Sequence, residues 1–470
     1  MNTLILRSAC VGVICLISSV YLLIAQTVHQ DAIYSGVPWF DEAGKTVSAH
    51  GACMIKEDGR YYLFGEYKTD SANVFNGFVC YSSTDLYSWK FERMALPVQR
   101  QGKLGSKRVG ERPKVMKSRE TGKYVMYMHV DSINYKDQFV GYATADEITG
   151  PYTFQGPLLY KGQPIRKWDI GAFQDKDGTG YLLVHHGDIY ELNDDFCSVK
   201  EKVASDIPGV GESPAMLCKD GRYYLLSSNL TSWERNDNHY HTATSIRGPW
   251  IKKGYFAPAG TLTWNSQCSF IFQIDGTDET TYMYMGDRWS FPKQNSAATY
   301  VWQPLQVGEA ELSIPTFADG WTIDLKTGKT SAAQNSFQTY AINELPDTHF
   351  NGMWKNDTLF VRGSSQKDDY FSFAFTGRRV SLFGFSRPDG GYAEVSIVDR
   401  KGTIVNRAVI DMYCLYANAG LKFVSPWLTK GDYTLIVRVL GQRGNWSDKR
   451  RNNYGSIGYV VSLEKVLVEP

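Results

Sequence analysis

Five polar residues each stand immediately ahead of a short apolar run: His50 in SAHGACMI, Glu111 in VGERPKV, Asp169 in KWDIGAF, Glu212 in GVGESPAM and Gln267 in LTWNSQCSF. A carboxylate beside Gly or Pro, about to enter a buried strand, is an odd place for a solvated charge. Taken singly, each could be a turn cap or an ion-pair partner of Arg112, Lys114 or Arg166. Taken together, with the same phase in successive units, they predict one shared site. Paired carboxyl groups across a cleft suit glycosidic bond cleavage: one donates a proton to the leaving oxygen, and another activates water or attacks. The acid needs a raised pKa, which a neighbouring carboxylate can supply.

The elements that would bring these residues together are legible as repeats. DGRYYLFGE (58–66), TGKYVMYMH (121–129), DGTGYLLVHH (177–186), DGRYYLLSS (220–228) and DETTYMYMGD (278–287) each join a turn signal to a period-2 apolar run. Asp-Gly before such a run marks a hairpin. Short runs before and after most copies (ACMI and FVCYSS around the first) extend each unit to three or four strands. Five such units predict a five-bladed β-propeller over residues 31–326. In a propeller, the strand ends and loops at one mouth of the channel converge. TGKTSAAQNS (327–336) reads as a linker, and the strand-like texture of 337–470 as a jelly-roll-like β-sandwich. The expected fold class is therefore all-β.

Composition agrees and excludes. The chain has 470 residues, net charge +1 and 14% aromatic residues, with Tyr the commonest of these. Balanced charge argues against nucleic acid as a partner, and abundant aromatic faces suit sugars. The N-terminus places Arg7 before an uncharged apolar stretch that ends near Ala25, the shape of a signal peptide over 1–25. Its length also admits an uncleaved anchor. The expectation is an exported protein (periplasmic, cell-surface or secreted) with no membrane span once the leader is cleaved. Outside the leader, Cys53, Cys80, Cys197, Cys218, Cys268 and Cys414 form no C-x-x-C motif, and the sequence assigns no pairing. His185 and His186, adjacent on an expected strand, would point to opposite faces, whereas His239 and His241 share a face but lack a third ligand nearby in sequence. Structural or sugar-contact roles are expected for these four, with no metal site and no cofactor. Whether a structural calcium is bound does not follow from the sequence.

The blade series, with Asp169 in WDIGAFQDKDG and Glu212 in GESPAM, resembles glycoside hydrolase family 43. AHGACMI…YYLFGEYK, ERPKV, SNLTSWERN and NSQCSFI are similar to its exo-β-1,3-galactanase branch, over roughly 41–325. The resemblance implies an inverting, exo-acting enzyme that releases galactose from β-1,3-galactan. It implies Glu212 as general acid and Asp169 as the group that tunes and orients it. Gln267 would hold the attacking water, and Glu66, Glu111 and Tyr135 would line the subsite of the terminal galactose. Thr231, Trp233 and Asn236 would sit near the mouth, and His50 stands about where the wider family carries an Asp as general base. The galactanase branch also lacks that Asp. A Gln amide is not basic, so we expect Gln267 to position water and Glu111 to take or share its proton, the alternative being an imidic tautomer of Gln267. The competing functions are a related α-L-arabinofuranosidase or β-xylosidase, and a non-catalytic glycan-binding propeller. In the C-terminal region, Tyr392, Tyr413, Tyr416 and Trp446 are the aromatic candidates for glycan binding. Packing against the propeller is the other role open to that region.

Overall fold

The computed structural model describes residues 28–334, 336–357, 361–448 and 450–470. The expected leader therefore lies outside the described residues. Almost every described element is a strand, so the structure is all-β, as expected. Among the described residues, no helix is long and apolar enough to cross a membrane.

Five four-stranded antiparallel sheets follow one another along the chain. They begin with the strands His50–Glu57, Arg108–Lys117, Ile170–Gln174, Glu212–Lys219 and Gln267–Asp275. These first strands contact each other in sequence order, and the fifth returns to contact the first. The arrangement is consistent with a propeller fold. Each of the five repeated phrases forms the second strand of its sheet: Arg60–Glu66, Tyr124–Ser132, Gly180–Val184, Arg222–Ser228 and Thr280–Arg288. Their alternating side chains explain the recurring Tyr, Leu and Met. Tyr61, Leu63, Met126, Met128, Leu182, Leu226 and Met283 are all buried between sheets.

Two features differ from the sequence reading. The segment expected to be a plain linker contains the strand Thr330–Ala332, which pairs with Gly320–Ile323, which in turn pairs with Ile33–Tyr34. Trp321, buried on the middle strand, anchors this small sheet by donating to the Trp302 carbonyl (2.8 Å). His185 and His186 are not on a strand. The chain must reverse within three residues to begin Asp188–Leu192, so His185–Gly187 forms a tight 3-10 turn with His186 at φ 64°.

Beyond 337 the chain forms a six-stranded and a five-stranded antiparallel sheet. Phe371, Phe373, Val395 and Val437 of one share a core with Val380, Leu382, Leu463 and Val466 of the other. All six described cysteines are free thiols.

The first strands approach each other closely where the candidate residues emerge. A Cβ at Gly171 would lie 2.1 Å from the Pro214 carbonyl oxygen, two residues past Glu212. Gly171→Ala should therefore push the third and fourth sheets apart, costing about 1–3 kcal/mol. Urea unfolding should show the lowered midpoint, and an unchanged midpoint would refute the close packing.

Candidate active site

The five residues singled out from the sequence stand at the same end of the five sheets. Each faces a residue in the final, turn-distal part of the neighbouring strand, or the turn beyond it. His50 pairs with Glu66, Glu111 with His129, Glu212 with Ser228 and Gln267 with Asp287 in register. Asp169 accepts at its backbone carbonyl from His185 N (3.0 Å). In the first, second and fourth sheets, the residue after the candidate lies in the left-handed region: Gly51 (φ 62°), Arg112 (φ 53°) and Ser213 (φ 57°). The ladder breaks register at each of these points. Such bulges bend a strand and re-aim a side chain. At Arg112 and Ser213 the conformation costs energy for a residue with a Cβ. Pro113 and Pro214 follow, and a residue lacking an N–H loses nothing where the ladder is already broken. Gly51 must be Gly, because a Cβ there would meet Glu66 Oε1 at 2.3 Å.

Arg112 ties the ring together. Its Nε lies 2.9 Å from Asp169 Oδ2, its Nη2 donates to Gln267 Oε1 (2.7 Å), and its backbone N–H donates to Glu66 Oε1 (2.9 Å). Burial works against its charge, but Asp169, Asp287, Glu66 and Glu212 more than offset that and hold it protonated. Ser213 Oγ also donates to Asp169 Oδ2 (2.9 Å).

Gln267 has all four hydrogen-bonding positions occupied. Its oxygen accepts from Arg112 and from Trp289 Nε1 (2.8 Å), and its nitrogen donates to Glu212 Oε1 (3.1 Å) and Ser228 Oγ (2.9 Å). Arg112 and Trp289 can only donate, so the amide orientation is fixed. Glu212 is raised well above the ordinary carboxylate range, first by burial and then by the charge of Asp169.

A second group lies beside the first. Glu111 is 2.8 Å from His129 Nδ1, and accepts from Asn73 Nδ2 (2.7 Å) and Tyr135 Oη (3.1 Å). His129 Nε2 lies 3.3 Å from Asp131. Burial alone would raise Glu111, but the His129 hydrogen bond and charge outweigh it and lower its pKa. Burial alone would lower His129, but Asp131 and Glu111 raise it to about 9. Glu111, His129 and Asp169 offer ligand atoms within 4.8 Å of one another. His129 lies between the carboxylates of Glu111 and Asp131, with one ring nitrogen near each. Glu66 pairs with Lys68, and its pKa is raised by burial despite that partner.

The remaining candidates surround this centre. His50 is fully buried, stacked on Tyr300 (4.6 Å) with Nδ1 3.3 Å from Asp287, and so forms the wall behind the cleft. Asn236 donates to Thr231 Oγ1 (2.7 Å), and the two brace the loop that carries Trp233. Trp233 packs on Trp289 (5.1 Å). His239 and His241 contact the carbonyls of Gly209 and Pro208, away from the five-residue ring. Sequence reasoning missed His129, Trp289, Ser228 and Asp287. His129, Ser228 and Asp287 each end a repeated phrase, opposite a candidate across the hairpin, and Trp289 lies two residues past the fifth phrase; the pairing that gives them their roles appears only in the fold.

The chain matches the family model of glycosyl hydrolases family 43 over residues 46–258. A putative exo-β-1,3-galactanase from Bifidobacterium bifidum s17 is 36% identical, with a TM-score of 0.56 over 60% of this chain and 95% of that one. An exo-β-1,3-galactanase from Phanerochaete chrysosporium, solved with galactose, is 27% identical, with a TM-score of 0.68 over 93% of this chain and all of that one. Curated proteins give no match. The site and these likenesses define a glycosidase. The chain belongs to glycosyl hydrolase family 43, with its likeness to the exo-β-1,3-galactanase branch. That sets aside the non-catalytic reading.

The charges make a stability prediction. Glu212 is raised in the folded state, so it destabilises the fold progressively as pH rises above its ordinary 4.5. Glu212→Gln should therefore melt above wild type at neutral pH by about 1–2 °C, the effect of ~1 kcal/mol at ~2 cal/mol/K per residue in a chain of this size. The gap should close below pH 4.5, where both forms are uncharged. A pH-independent gap in thermal unfolding would contradict the burial argument.

Proposed function

We propose that the protein is an exported, exo-acting hydrolase that releases galactose from β-1,3-galactan, of the arabinogalactan type, with inversion at the anomeric carbon. The observation that carries this reading is the raised Glu212 carboxyl, hydrogen-bonded to Gln267 beside the Arg112-bound Asp169. In this reading Glu212 is the general acid, and its raised pKa keeps it protonated until the leaving oxygen needs the proton. Burial, and then the charge of Asp169 that Arg112 holds in place, maintain that pKa. Gln267 positions the attacking water. Glu111 shares the proton of that water, and with Glu66 and Tyr135 holds the hydroxyls of the terminal galactose. Thr231, Trp233 and Asn236 shape the mouth.

We further read the five sheets as the blades of a catalytic propeller over 31–326, and the two later sheets as a sandwich over 337–470. The cyclic contacts of the first strands and the shared core of the later sheets support this division. A leader over 1–25 would export the protein.

Product analysis on β-1,3-galactan, arabinan and xylan tests the substrate. Galactose should be released from the first, and Glu212→Gln should lower kcat by about 10²–10⁴. Release of arabinose or xylose instead would favour the related arabinofuranosidase or xylosidase.

The base assignment has its own test. Glu111 is lowered from 4.5, so the acid limb of kcat/KM should lie below pH 4.5. Gln267→Ala should lower kcat and keep that limb. Glu111→Gln should remove it, and near wild-type kcat in Glu111→Gln would sink the assignment.

A further inference from the structure

Three of the four aromatic candidates of the C-terminal unit are occupied by contacts to the first unit. Tyr392 Oη donates to the Ser290 carbonyl (3.1 Å), Tyr413 Oη to Glu234 Oε2 (2.6 Å) and Tyr416 Oη to the Thr261 carbonyl (2.9 Å). Trp446 also reaches the first unit, but at its edge, and its ring stays half-buried. It lies on a hairpin of Asn445–Ser447 and Asn453–Gly455, directly opposite Tyr454, with the two rings stacked at 5.8 Å.

This hairpin leans over the mouth of the candidate active site. Trp446 Nε1 donates to Ser232 Oγ (3.3 Å), beside Trp233. Its ring lies 6.3 Å from Phe291, and Phe291 lies 6.1 Å from Trp233 with the two planes within 2° of parallel. Trp233 lies 5.1 Å from Trp289, whose indole donates to Gln267. The rings thus run unbroken from Gln267 to Tyr454, across the boundary between the units. All but the innermost, Trp289, are half-buried rather than sealed in the core. The hairpin root is seated tightly: a Cβ at Gly444 would lie 2.8 Å from both the Phe291 carbonyl oxygen and Tyr392 Oη.

We propose that this run of rings is the leaving-group side of the binding cleft, with Trp446 and Tyr454 as its outermost stacking platform for a neutral sugar chain. The proposal rests on the galactan-hydrolase reading above and extends it. Glu212, the proton donor to the leaving oxygen, lies at the inner end of the run, so a polysaccharide leaving that point meets Trp233 first, with Trp289 sealed beneath it. Aromatic rings give a sugar a flat apolar face to cover, and Trp and Tyr add a polar tip at the edge. Successive ring spacings are of the order of one sugar residue, and the exposed side chain of Asn445 borders the strip with a hydrogen-bonding group. The C-terminal unit then completes the cleft rather than binding glycan at a separate place.

The test compares the full chain with Trp446→Ala, Trp446→Phe and Tyr454→Ala on β-1,3-linked galactobiose and a long β-1,3-galacto-oligosaccharide. The readout is the ratio of kcat/KM on the long substrate to that on the disaccharide. Trp446→Ala should lower that ratio about tenfold, the loss of one stacking contact. Trp446→Phe should recover most of it, and Tyr454→Ala gives the answer should Trp446→Ala fail to fold. An unchanged ratio in both alanine variants overturns the platform and leaves the hydrolase reading standing. Binding of the same two oligosaccharides is also measured by calorimetry in a Glu212→Gln background. Affinity that grows with chain length and loses that growth in Trp446→Ala supports the platform even if no galactose is released, in which case only the hydrolase reading falls. Affinity independent of chain length overturns the platform.

Discussion

The site depends on one buried cation. Four carboxylates, those of Glu66, Asp169, Glu212 and Asp287, bear electrostatically on Arg112 at one end of the five sheets. Without a counter-charge they would repel one another in a poorly solvated space, and burial would protonate them indiscriminately. Arg112 breaks the symmetry. It sits 2.9 Å from Asp169 and reaches Glu212 only through Gln267. Asp169 therefore gains a partner for its charge, while Glu212 is left with burial and a like charge. Burial and that like charge hold the Glu212 carboxyl well above the ordinary range, as a proton donor requires. Removing the guanidinium would leave buried, unpaired carboxylates, the costly way to break a buried pair.

The backbone that delivers Arg112 is irregular for the same reason. A regular strand would alternate Glu111 and Arg112 across its two faces. The bulge, with Arg112 in a left-handed conformation, lets the chain present both at the channel mouth: the carboxylate to His129 and the guanidinium to Asp169. Ser213 repeats the device, so that Glu212 faces Gln267 while the Ser213 hydroxyl reaches Asp169. Local conformational rules fail where function requires them to, and the regular hairpins on either side hold the strain.

This explains what was legible in the sequence. The five hairpins were, because a short polar turn, Asp-Gly or Thr-Gly in four of them, followed by alternating Tyr, Leu and Met is a local signal that needs no tertiary information. The candidates ahead of the first strands were legible for the same reason, being measured from the turn. His129 and Trp289 were not, because their roles arise from pairing across a hairpin and from packing between sheets. His129 sits within TGKYVMYMH and looks there like the end of a core strand. Tyr392, Tyr413 and Tyr416 were open between glycan binding and packing, because a loop aromatic resembles a sugar platform until the surface it covers is known; here their hydroxyls reach Ser290, Glu234 and Thr261.

Those three hydroxyls also give the later sheets a part in the site. Leu262, Thr263, Trp264 and Asn265 all have φ between 54° and 57°, a left-handed turn immediately before Gln267. Such a run of residues with side chains is unfavourable by itself, so it must be held by its neighbours. Asp237 accepts from Leu262 N (2.8 Å), Arg235 donates to Asn265 Oδ1 (2.8 Å) and Arg288 to the Asn265 carbonyl (3.1 Å). From the C-terminal unit, Tyr416 fixes the Thr261 carbonyl at the start of the turn, and Tyr413 fixes Glu234 beside Arg235. The amide that orders the chemistry is thus positioned by a strained turn whose bracing comes partly from the other unit. A C-terminal unit that merely covered an edge would have no need to reach these particular groups.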